Sequence, residues 1–258
     1  MKKYLLDLRV TTVERLSQRH VLVRLTSPER LPMMRAGQFV EVRIDASPST
    51  FLRRPISINH IDSARNELWL LVAEVGEGTR HLAALAPGDT LNCLLPLGNG
   101  FSLPDEKSRK ALLVGGGVGV APLLFLGETI RDAGGEATFL LGARTATEVL
   151  EIPYFERYGN VHIATEDGTL GERGFVTNHS ILQNEHFDRI YTCGPKPMML
   201  AVARYAGENG ITCEASLENH MACGLGACLC CVEKTIRGNV CVCSEGPVFN
   251  VKELLWQI

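Results

Sequence analysis

Four cysteines near the C-terminus constrain this chain more strongly than any other feature. They are spaced as C-x4-C-x2-C, followed by eleven residues and a fourth cysteine, and they are Cys223, Cys228, Cys231 and Cys243. This spacing is typical of thiolates that hold a two-iron, two-sulfur (2Fe-2S) cluster. Glycines inside the run allow the backbone to curl and to turn its amides toward sulfide. Because the last roughly forty residues are too few to bury a core alone, we expect the cluster to organise them.

Two other uses of these thiols stay open at the level of sequence. A zinc site also takes four thiolates, but it usually pairs two short C-x2-C hairpins, and this chain has one short pair. A disulfide framework suits secreted chains, whereas an odd count of nine cysteines, six of them from Cys223 to Cys243, argues against it. We expect Cys230 and Cys241 to be small buried residues beside the ligands, with either as a candidate substitute ligand. His220 is expected to be structural, with a hydrogen bond to the cluster as the alternative.

The charge and the hydropathy of the chain exclude several classes of function. Its 258 residues carry a formal charge of −3, so we expect no basic face for nucleic acid or an anionic membrane. Asp7 and Arg9 interrupt the short apolar start before a signal peptide forms. No stretch approaches the roughly 20 apolar residues of a membrane span. The sequence therefore predicts a cytoplasmic protein.

Residues 1–103 alternate apolar and polar side chains in short runs that turns separate. Regular short strands of this kind are typical of an antiparallel barrel. One helix is predicted near 79–85, ended by Pro87 and Gly88. The predicted strands are 4–10, 20–26, 38–44, 55–60, 67–74 and 90–95.

Residues 104–215 are predicted to form a parallel α/β domain, because the rhythm changes to strand, glycine-rich turn and helix. The predicted strands are 111–114, 137–141, 161–164 and 189–193, and the predicted helices are about 121–133 and 196–208. Residues 216–258 form the cluster-binding part. The predicted fold class is therefore multidomain, of α+β and α/β type: an antiparallel barrel, then a parallel α/β domain, then a small cluster domain.

Two turns of the α/β domain carry residue types that bind phosphate. A glycine-rich turn between strand and helix aims backbone amides and the positive end of the helix dipole at an anion. The first turn does not match the GxGxxG fingerprint, so a plain tight connection is the alternative. Since both turns follow apolar strands, we expect them at one crevice at the carboxyl edge of the sheet. The residues are Gly115, Gly116, Gly117 and Gly119 in the first turn, and Cys193 and Gly194 in the second.

Two barrel segments are candidates for a flavin nucleotide. Arg53 and Arg54 precede Pro55, and Ser57 follows it, so a guanidinium and a hydroxyl are placed to hold a pyrophosphate and the edge of a flavin ring. Downstream, Thr79 is expected to cap a helix whose first amides face a phosphate. Each segment alone says little, because an arginine before a proline is usually a surface residue.

The order of these segments resembles that of the ferredoxin reductase superfamily, in which a flavin-binding barrel precedes a nicotinamide-binding α/β domain. Within that superfamily, the chain looks like the electron-transfer subunits of class 1B dihydroorotate dehydrogenases, and the resemblance spans the whole chain. The motifs that carry it are Arg54-Pro55-Ile56-Ser57, Gly78-Thr79, Pro96-Leu97-Gly98-Asn99-Gly100, Gly115 to Pro122, Cys193-Gly194-Pro195, the cysteine run and Ser244-Glu245-Gly246-Pro247-Val248-Phe249.

The resemblance implies FAD, one 2Fe-2S cluster and NAD as cofactors, with the cluster held by Cys223, Cys228, Cys231 and Cys243. It also implies an FMN-containing catalytic subunit as partner, in a complex of two plus two chains, which oxidises dihydroorotate in pyrimidine biosynthesis. Electrons then pass from FMN through the cluster and FAD to NAD, and no acid-base catalytic residue is expected. The implied FAD contacts are Arg54, Pro55, Ile56, Ser57, Leu71, Val72, Ala73, Gly78 and Thr79.

Other functions stay open. One is the small subunit of an NADH-dependent ferredoxin:NADP oxidoreductase or a sulfide dehydrogenase, with the same cofactors and another partner. A zinc-binding adaptor without redox activity is an alternative of a different class. No acid follows the second α/β strand, where Arg144 is a candidate for a 2′-phosphate, so the choice of NAD rests on the resemblance. The resemblance also places Cys193 near the nicotinamide, whereas a small buried strand-end residue is the plainer interpretation.

Overall fold

Six antiparallel strands of the first part close into a barrel. The computed structural model describes residues 2–45, 47, 49–105 and 108–256. The elements of the first part are β1 (Tyr4–Arg15), β2 (His20–Thr26), β3 (Phe39–Val42), β4 (Arg54–Asp62), β5 (Glu67–Ala73), α1 (Glu77–Ala83) and β6 (Thr90–Leu97). The strands pair in the order β1-β2-β5-β4-β3-β6, and β6 closes on β1. The antiparallel barrel predicted from the sequence is confirmed.

Alternation along the strands builds the barrel core. On β2, Val21, Val23 and Leu25 are buried in the apolar cluster inside the barrel. Strands β2 and β5 pair from His20 to Thr26 without a shift of register. Because side chains alternate between the two faces of a strand, an unbroken register keeps the same set of apolar residues inside. Closure also leaves the sheet without an unpaired edge.

A seven-stranded sheet follows the barrel. The strands and helices that follow β6 are β7 (Lys110–Gly116), α2 (Ala121–Asp132), β8 (Glu136–Ala143), α3 (Ile152–Phe155), β9 (Gly159–Thr165), β10 (Glu172–Arg173), α4 (Ile181–Asn184), β11 (Arg189–Cys193), α5 (Lys196–Glu208), β12 (Thr212–Ser216), β13 (Val232–Thr235), β14 (Gly238–Cys241), α6 (Val242–Glu245) and β15 (Val248–Asn250). The sheet order is β10-β9-β8-β7-β11-β12-β15, and β13 pairs only with β14 among the described strands.

The sheet is buried on both faces, as a parallel sheet requires. Leu113 and Phe139 belong to the core under α2. Leu112 and Leu140, the alternate residues on the same strands, belong to the core under α5. The predicted parallel α/β domain is confirmed, and the structure has β11 and α5 at the predicted bounds. No helix in the described part of the chain has the length and apolar character needed to cross a membrane.

The C-terminal part is built onto this sheet. Strand β15 pairs antiparallel with β12, with Phe249 opposite Ala215. Val240, Val242 and Phe249 share one buried core with Val202 of α5. The expectation that a cluster alone would organise the last residues is therefore wrong, because their apolar side chains are buried against the α/β domain.

Strand β4 and helix α2 join the barrel to the α/β domain. The side-chain amide of Asn59 donates to the carbonyl oxygen of Ala121 at 3.2 Å. His60 Nε2 lies 3.0 Å from Glu128 Oε2. Because Asn59 and His60 are both buried, these polar contacts fix the two parts more specifically than apolar packing alone.

Gly127 tests how closely α2 packs on the sheet. A Cβ at this position would overlap the ring of Phe139, with Cε1 only 2.8 Å away. We expect Gly127→Ala to lower the melting temperature, because overpacking costs about 1–3 kcal/mol and outweighs a gain in helix propensity of roughly 1 kcal/mol. The matched control is Gly207→Ala on α5, since a Cβ there meets nothing within 4 Å. Thermal unfolding should place the control at or above the wild type, and equal melting temperatures for both variants would contradict the prediction.

Candidate cluster loop and cofactor cavities

The cysteine run folds into an irregular loop that lies on the barrel. Gly224 and Gly226 have positive φ angles of 65° and 80°, a region that glycine adopts without steric cost. Leu229 also lies there, at φ 59°, which is uncommon for a branched residue. A Cβ at Gly224 would lie 2.8 Å from Cγ of Glu41 on β3. The glycine therefore allows the loop to approach the barrel directly.

Backbone amides near this loop donate to cysteine sulfurs. The amide of Leu225 donates to Sγ of Cys223 at 3.3 Å, and that of Gly226 donates to Sγ of Cys243 at 3.1 Å. The amide of Cys243 donates to Sγ of Cys231 at 3.4 Å. Amide donors of this kind stabilise thiolates and tune the potential of an iron-sulfur cluster. The loop therefore fits the cluster that its spacing predicts.

The four predicted ligands form two contacting pairs. The thiol of Cys223 contacts that of Cys228, and the thiol of Cys243 contacts that of Cys231. Burial opposes ionisation of Cys223, but nearby backbone amides outweigh burial and lower its pKa to about 6. Burial and the Cys231 thiol raise the pKa of Cys243 to about 12. Two pairs of thiolates are the donor set that a cluster of two irons takes.

The described residues include no group of three or more His, Cys, Asp or Glu side chains arranged to hold a metal ion. The two additional cysteines differ from each other. Cys241 is half-buried beside Cys231, with its Sγ 3.8 Å from the carbonyl oxygen of Gly226. Cys230 is exposed, so the expectation that it is buried is wrong. The loop turns at Leu229 and directs Cys230 to a cavity wall that His220 also lines.

A cavity of about 650 Å³ lies between the barrel and the cluster loop. We call it the flavin cavity. One wall is formed by residues that the resemblance assigns to FAD, and the opposite wall by residues 217–221, Cys230 and Pro247. Its volume is in the ordinary range for a cofactor site. The predicted residues on its wall are Arg54, Pro55, Ile56, Ser57, Leu71, Ala73 and Thr79.

Other residues of the predicted flavin site contribute differently. The side chain of Val72 is buried in the barrel core, because alternate residues of a strand face opposite sides, and this leaves its main chain for a ligand. A Cβ at Gly78 would lie 3.1 Å from Nε of Arg54, so Gly78 makes room for that side chain. Arg53 lines the flavin cavity, and its guanidinium donates to the carbonyl oxygen of Glu41 at 3.1 Å. Its guanidinium is thereby tied to the barrel.

Thr79 fixes the start of α1. Its Oγ1 accepts hydrogen bonds from the amides of Val75 at 2.9 Å and Gly76 at 3.0 Å. Thr79 therefore helps to cap α1 from the third helical position, since the helix begins at Glu77 with Gly76 as the N-cap residue rather than near 79 as the sequence predicted. This contact holds the segment after β5 at the mouth of the flavin cavity, where Val75 and Thr79 both form part of the wall.

A second cavity, of about 640 Å³, lies at the carboxyl edge of the parallel sheet. We call it the dinucleotide cavity. Both predicted turns line it, through Gly116 and Gly117 in the first and Pro195 in the second. Val118 and Ala73 line this cavity and the flavin cavity alike. Since ligands of open α/β sheets bind at this edge, the two cavities are placed for a nicotinamide and a flavin to meet.

The remaining residues of the two turns pack against each other and against α2, next to this cavity. A Cβ at Gly119 would overlap Cα of Gly194 and lie 2.6 Å from the carbonyl oxygen of Cys193. A Cβ at Gly115 would lie 2.9 Å from Cδ1 of Leu123 on α2. Only glycine therefore allows the first turn to touch the second turn and the helix. The structure brings the predicted turns together, and Cys193 lies fully buried beside their contact.

Sequence reasoning missed Glu218. This residue lines the flavin cavity. The thiol of Cys193 donates to Oε1 of Glu218 at a distance of 3.8 Å. Burial raises the pKa of the Cys193 thiol, whereas Glu218 is exposed at the surface of the cavity. The available signal was its place two residues after β12, at the same carboxyl edge as the two turns. Strand β12 was not predicted, so this signal was not used.

Arg144 lines the dinucleotide cavity, but its guanidinium is already engaged. Nε and Nη2 donate to the two carboxylate oxygens of Glu148 at 3.0 and 2.7 Å. This hydrogen bonding lowers the pKa of Glu148 and keeps it ionised. Glu166 lies on the same wall. Two acidic residues therefore flank the arginine that was a candidate for a 2′-phosphate.

Two motifs of the resemblance pack directly against each other. A Cβ at Gly98 would lie 2.5 Å from Cδ of Pro247. The side-chain amide of Asn99 donates to the carbonyl oxygen of Glu245 at 2.9 Å. The segment after β6 and the segment after α6 thus join the barrel to the cluster part.

Comparison with known proteins identifies the family. The family model for the iron-sulfur cluster binding domain of dihydroorotate dehydrogenase B matches residues 218–255, and that for the oxidoreductase NAD-binding domain matches residues 113–204. The dihydroorotate dehydrogenase B (NAD(+)) electron transfer subunit of Shouchella clausii is 42% identical over 229 residues, which cover 86% of this chain and 87% of that protein. This chain belongs to the same family. The Fusobacterium nucleatum subunit is 41% identical and covers 84% of this chain and 86% of its own length.

Solved structures agree with this membership. An NADH-dependent reduced ferredoxin-NADP oxidoreductase, described for flavin-based electron bifurcation, superposes with a TM-score of 0.85 at 27% identity, over 96% of this chain and 89% of that one. The ferredoxin reductase of a carbazole 1,9a-dioxygenase shares the fold, with a TM-score of 0.69 at 20% identity, over 82% and 67% of the two chains. These findings support FAD, a 2Fe-2S cluster and NAD as cofactors. The higher identity to the dihydroorotate dehydrogenase subunits does not favour the ferredoxin alternative.

Proposed function

We propose that this chain is the electron-transfer subunit of a dihydroorotate dehydrogenase and passes electrons from the FMN of a catalytic subunit to NAD. One observation carries this proposal: the flavin cavity has Cys230 of the cluster loop on its wall and shares Val118 with the dinucleotide cavity. A bound flavin exchanges single electrons with a cluster and hydride with a nicotinamide. The residues of the chain supply the relative placement of the three groups. We further propose that the chain acts in pyrimidine biosynthesis, in the cytoplasm, within a complex of two plus two chains.

We propose that the cluster ligands are the two contacting pairs, Cys223 with Cys228 and Cys231 with Cys243. Two hydrogen bonds support Cys243 as the fourth ligand. Its Sγ accepts from the amide of Gly226, and its own amide donates to Sγ of Cys231. Cys241 also contacts the thiol of Cys231, but its own Sγ donates to the carbonyl oxygen of Gly226 at 3.8 Å. A carbonyl accepts a proton donor and therefore favours a thiol over a thiolate there.

Substitution of single cysteines tests this ligand set. We expect Cys243→Ser to lose the visible cluster absorption and to bind much less than the about two irons per chain of the wild type, because serine lacks the soft sulfur donor. Cys241→Ser is the matched control and should keep both, as should Cys230→Ser. Iron analysis and absorption spectra of anaerobically purified protein measure the outcome. Loss of iron in Cys241→Ser with retention in Cys243→Ser would exchange the two assignments.

We propose that the Arg144–Glu148 pair and Glu166 select NAD over NADP. A 2′-phosphate would need the guanidinium of Arg144, which is held by two hydrogen bonds to Glu148. It would also approach the carboxylate of Glu166 on the same wall. The ribose hydroxyls of NAD carry no charge and can donate to a carboxylate.

Removal of the carboxylate that holds Arg144 should weaken this selection. We expect Glu148→Gln to improve the affinity for NADPH relative to NADH by about fivefold to tenfold, a modest change because Arg144 is exposed to solvent and screened. The double variant with Arg144→Ala is the control and should lose the gain. Titration of the purified subunit, followed by quenching of protein fluorescence, gives both dissociation constants. An unchanged ratio in Glu148→Gln would show that the pair does not select the nucleotide.

We propose that the catalytic subunit binds beside the cluster loop. Four large apolar side chains are exposed there or on the adjoining loop before β4, with exposed fractions of 47% for Leu225, 64% for Leu229, 90% for Phe51 and 51% for Leu52. Arg53 and Glu41 connect the two loops, since Arg53 binds the Glu41 carbonyl and the Glu41 side chain packs under Gly224. Exposed apolar groups that gather around a redox site are typical of a protein interface.

Reconstitution with the catalytic subunit tests the activity and this surface together. We expect the wild-type complex to reduce NAD with dihydroorotate as electron donor. Phe51→Asp should weaken subunit association by roughly tenfold or more, because it places a charge where an aromatic side chain is buried on binding. Leu170→Asp, at a site 37% exposed in the α/β domain, should leave association unchanged. Analytical ultracentrifugation measures association, and absorbance at the NADH band measures turnover.

The outcomes separate the two parts of this proposal. Turnover with reduced ferredoxin and NADP, without turnover from dihydroorotate, would replace the proposed function by the ferredoxin alternative. Full activity together with unchanged association of Phe51→Asp would keep the function and place the partner surface elsewhere. The absorption bands of flavin and cluster must be retained in each variant, so that a loss of association reflects the surface.

A further inference from the structure

A buried amide and a buried carboxyl group connect the barrel to the α/β domain. Asn59 lies on β4, and Glu151 immediately precedes α3; both are buried. The side-chain nitrogen of Asn59 donates to Oε2 of Glu151 at 2.9 Å and to the carbonyl oxygen of Ala121 at 3.2 Å. Both N–H groups of this amide are therefore used, and each holds a different segment of the α/β domain.

Two oxygen atoms of this pair are buried without a partner among the described residues. They are Oδ1 of Asn59 and Oε1 of Glu151. Each is an acceptor when Glu151 is ionised, so the two cannot satisfy each other. One proton on Oε1 of Glu151 gives both oxygen atoms a partner. The carboxyl O–H then donates to Oδ1 of Asn59, while the amide N–H of Asn59 donates to Oε2 of Glu151. A carboxylic acid and a primary amide are complementary in this cyclic arrangement.

The surroundings of Glu151 favour the neutral acid. Burial raises the pKa of Glu151 to about 8, while the hydrogen bond from Asn59 opposes the shift, the charge of Glu14 adds to it and that of Arg24 opposes it. His60 follows Asn59 on β4 and binds Glu128 and Tyr158 on the α/β side, each at 3.0 Å. Tyr154 of α3 is a further titratable group at this junction, and its hydroxyl accepts a hydrogen bond from Nη2 of Arg24 at 2.7 Å.

The backbone of Glu151 has an unusual conformation for a residue of this type. Its φ angle is 61°, in the left-handed region that residues other than glycine, asparagine and aspartate rarely adopt. Strain of this kind persists only where the surrounding contacts hold it. The amides of Tyr154 and Phe155 donate to the carbonyl oxygen of Glu151 at 2.9 and 3.2 Å, and Asn59 holds its side chain.

We propose that neutral Glu151 and Asn59 form a carboxylic acid–amide pair that positions Ala121, and with it the first turn of α2, against the flavin cavity. Ala121 lines the flavin cavity, and Val118, three residues earlier, lines both cavities. The pair acts through Ala121 rather than by touching a cofactor, so Glu151 is a positioning residue for transfer between flavin and nicotinamide. This role rests on the proposed function; the protonation of the pair does not.

The proton has a defined effect on stability. The folded pKa of Glu151 lies above its ordinary value, so the folded state binds this proton more tightly than the unfolded state. The contribution is fully present below the ordinary pKa of 4.5, declines as the pH rises from there, and is lost once the pH passes about 8. Deprotonation also breaks the cyclic pair, which should loosen the contact at Ala121 and slow hydride transfer.

Variants of Glu151 in the full chain, loaded with flavin and cluster, test the proposal. Glu151→Gln keeps a neutral group whose amide can still pair with Asn59. Its melting temperature should therefore lack the decrease that the wild type shows as the pH rises from the ordinary pKa of 4.5 to about 8, and its rate of flavin reduction by NADH should lack the decrease of the wild type above about pH 8. Glu151→Ala should reduce flavin roughly tenfold or more slowly at every pH, because it removes the contact that sets the geometry. Stopped-flow absorbance, thermal unfolding between about pH 5 and 9, and hydrogen exchange at the amides of Ala121, Leu123 and Leu124 are the measurements.

Each result bears on one part of the inference. Parallel pH dependences of the melting temperature in the wild type and Glu151→Gln would show that Glu151 does not carry the proton. A flavin reduction rate and amide protection in Glu151→Ala equal to those of the wild type would remove the positioning role. If dihydroorotate does not support turnover but Glu151→Gln still removes the pH dependence of unfolding, the proposed function fails and the protonated pair stands.

Discussion

The cluster part of this chain depends on one short strand for its position on the other two parts. Strand β15 pairs with β12 at the end of the α/β sheet, and the residues just before it pack on Gly98 and Asn99 of the barrel. The same strand contributes Phe249 to the core under α5. The segment that follows the fourth predicted cluster ligand is therefore held by both other domains. A shift of this strand would move the cluster loop relative to both cavities.

Close approach at glycine provides the next level of constraint. Gly119 lets the two strand-end turns touch, and Gly224 lets the cluster loop lie on Glu41. In each case a Cβ would push two packed segments apart. Transfer between cofactors depends on their separation and orientation, and backbone packing of this kind contributes to both. Glycine is consequently placed where two segments of backbone come into direct contact.

Much of this arrangement was predictable because it is encoded locally. The period-two pattern of β2 and the strand-turn-helix sequence from β11 to α5 gave the observed bounds. The cysteine run gave a loop with amides directed at sulfur. Strand β15 was not predicted, because three residues carry no periodicity and its partner lies far away in sequence. The side chain of Val72 could not be assigned to the barrel core by resemblance, since only the strand register decides which face it occupies.

Buried carboxyl groups were the least accessible feature from sequence, and they bear on the environment of the cofactors. The formal charge of −3 counts every acidic side chain as ionised. Burial raises the pKa of Glu41 under the cluster loop to about 7 and that of Glu151 at the junction to about 8. Both groups lie where two parts of the fold meet and water is excluded, so burial shifts each toward the neutral form. The contacts between the parts of the fold are therefore less negative than the sequence suggests, and a neutral acid can donate a hydrogen bond there where a carboxylate can only accept one.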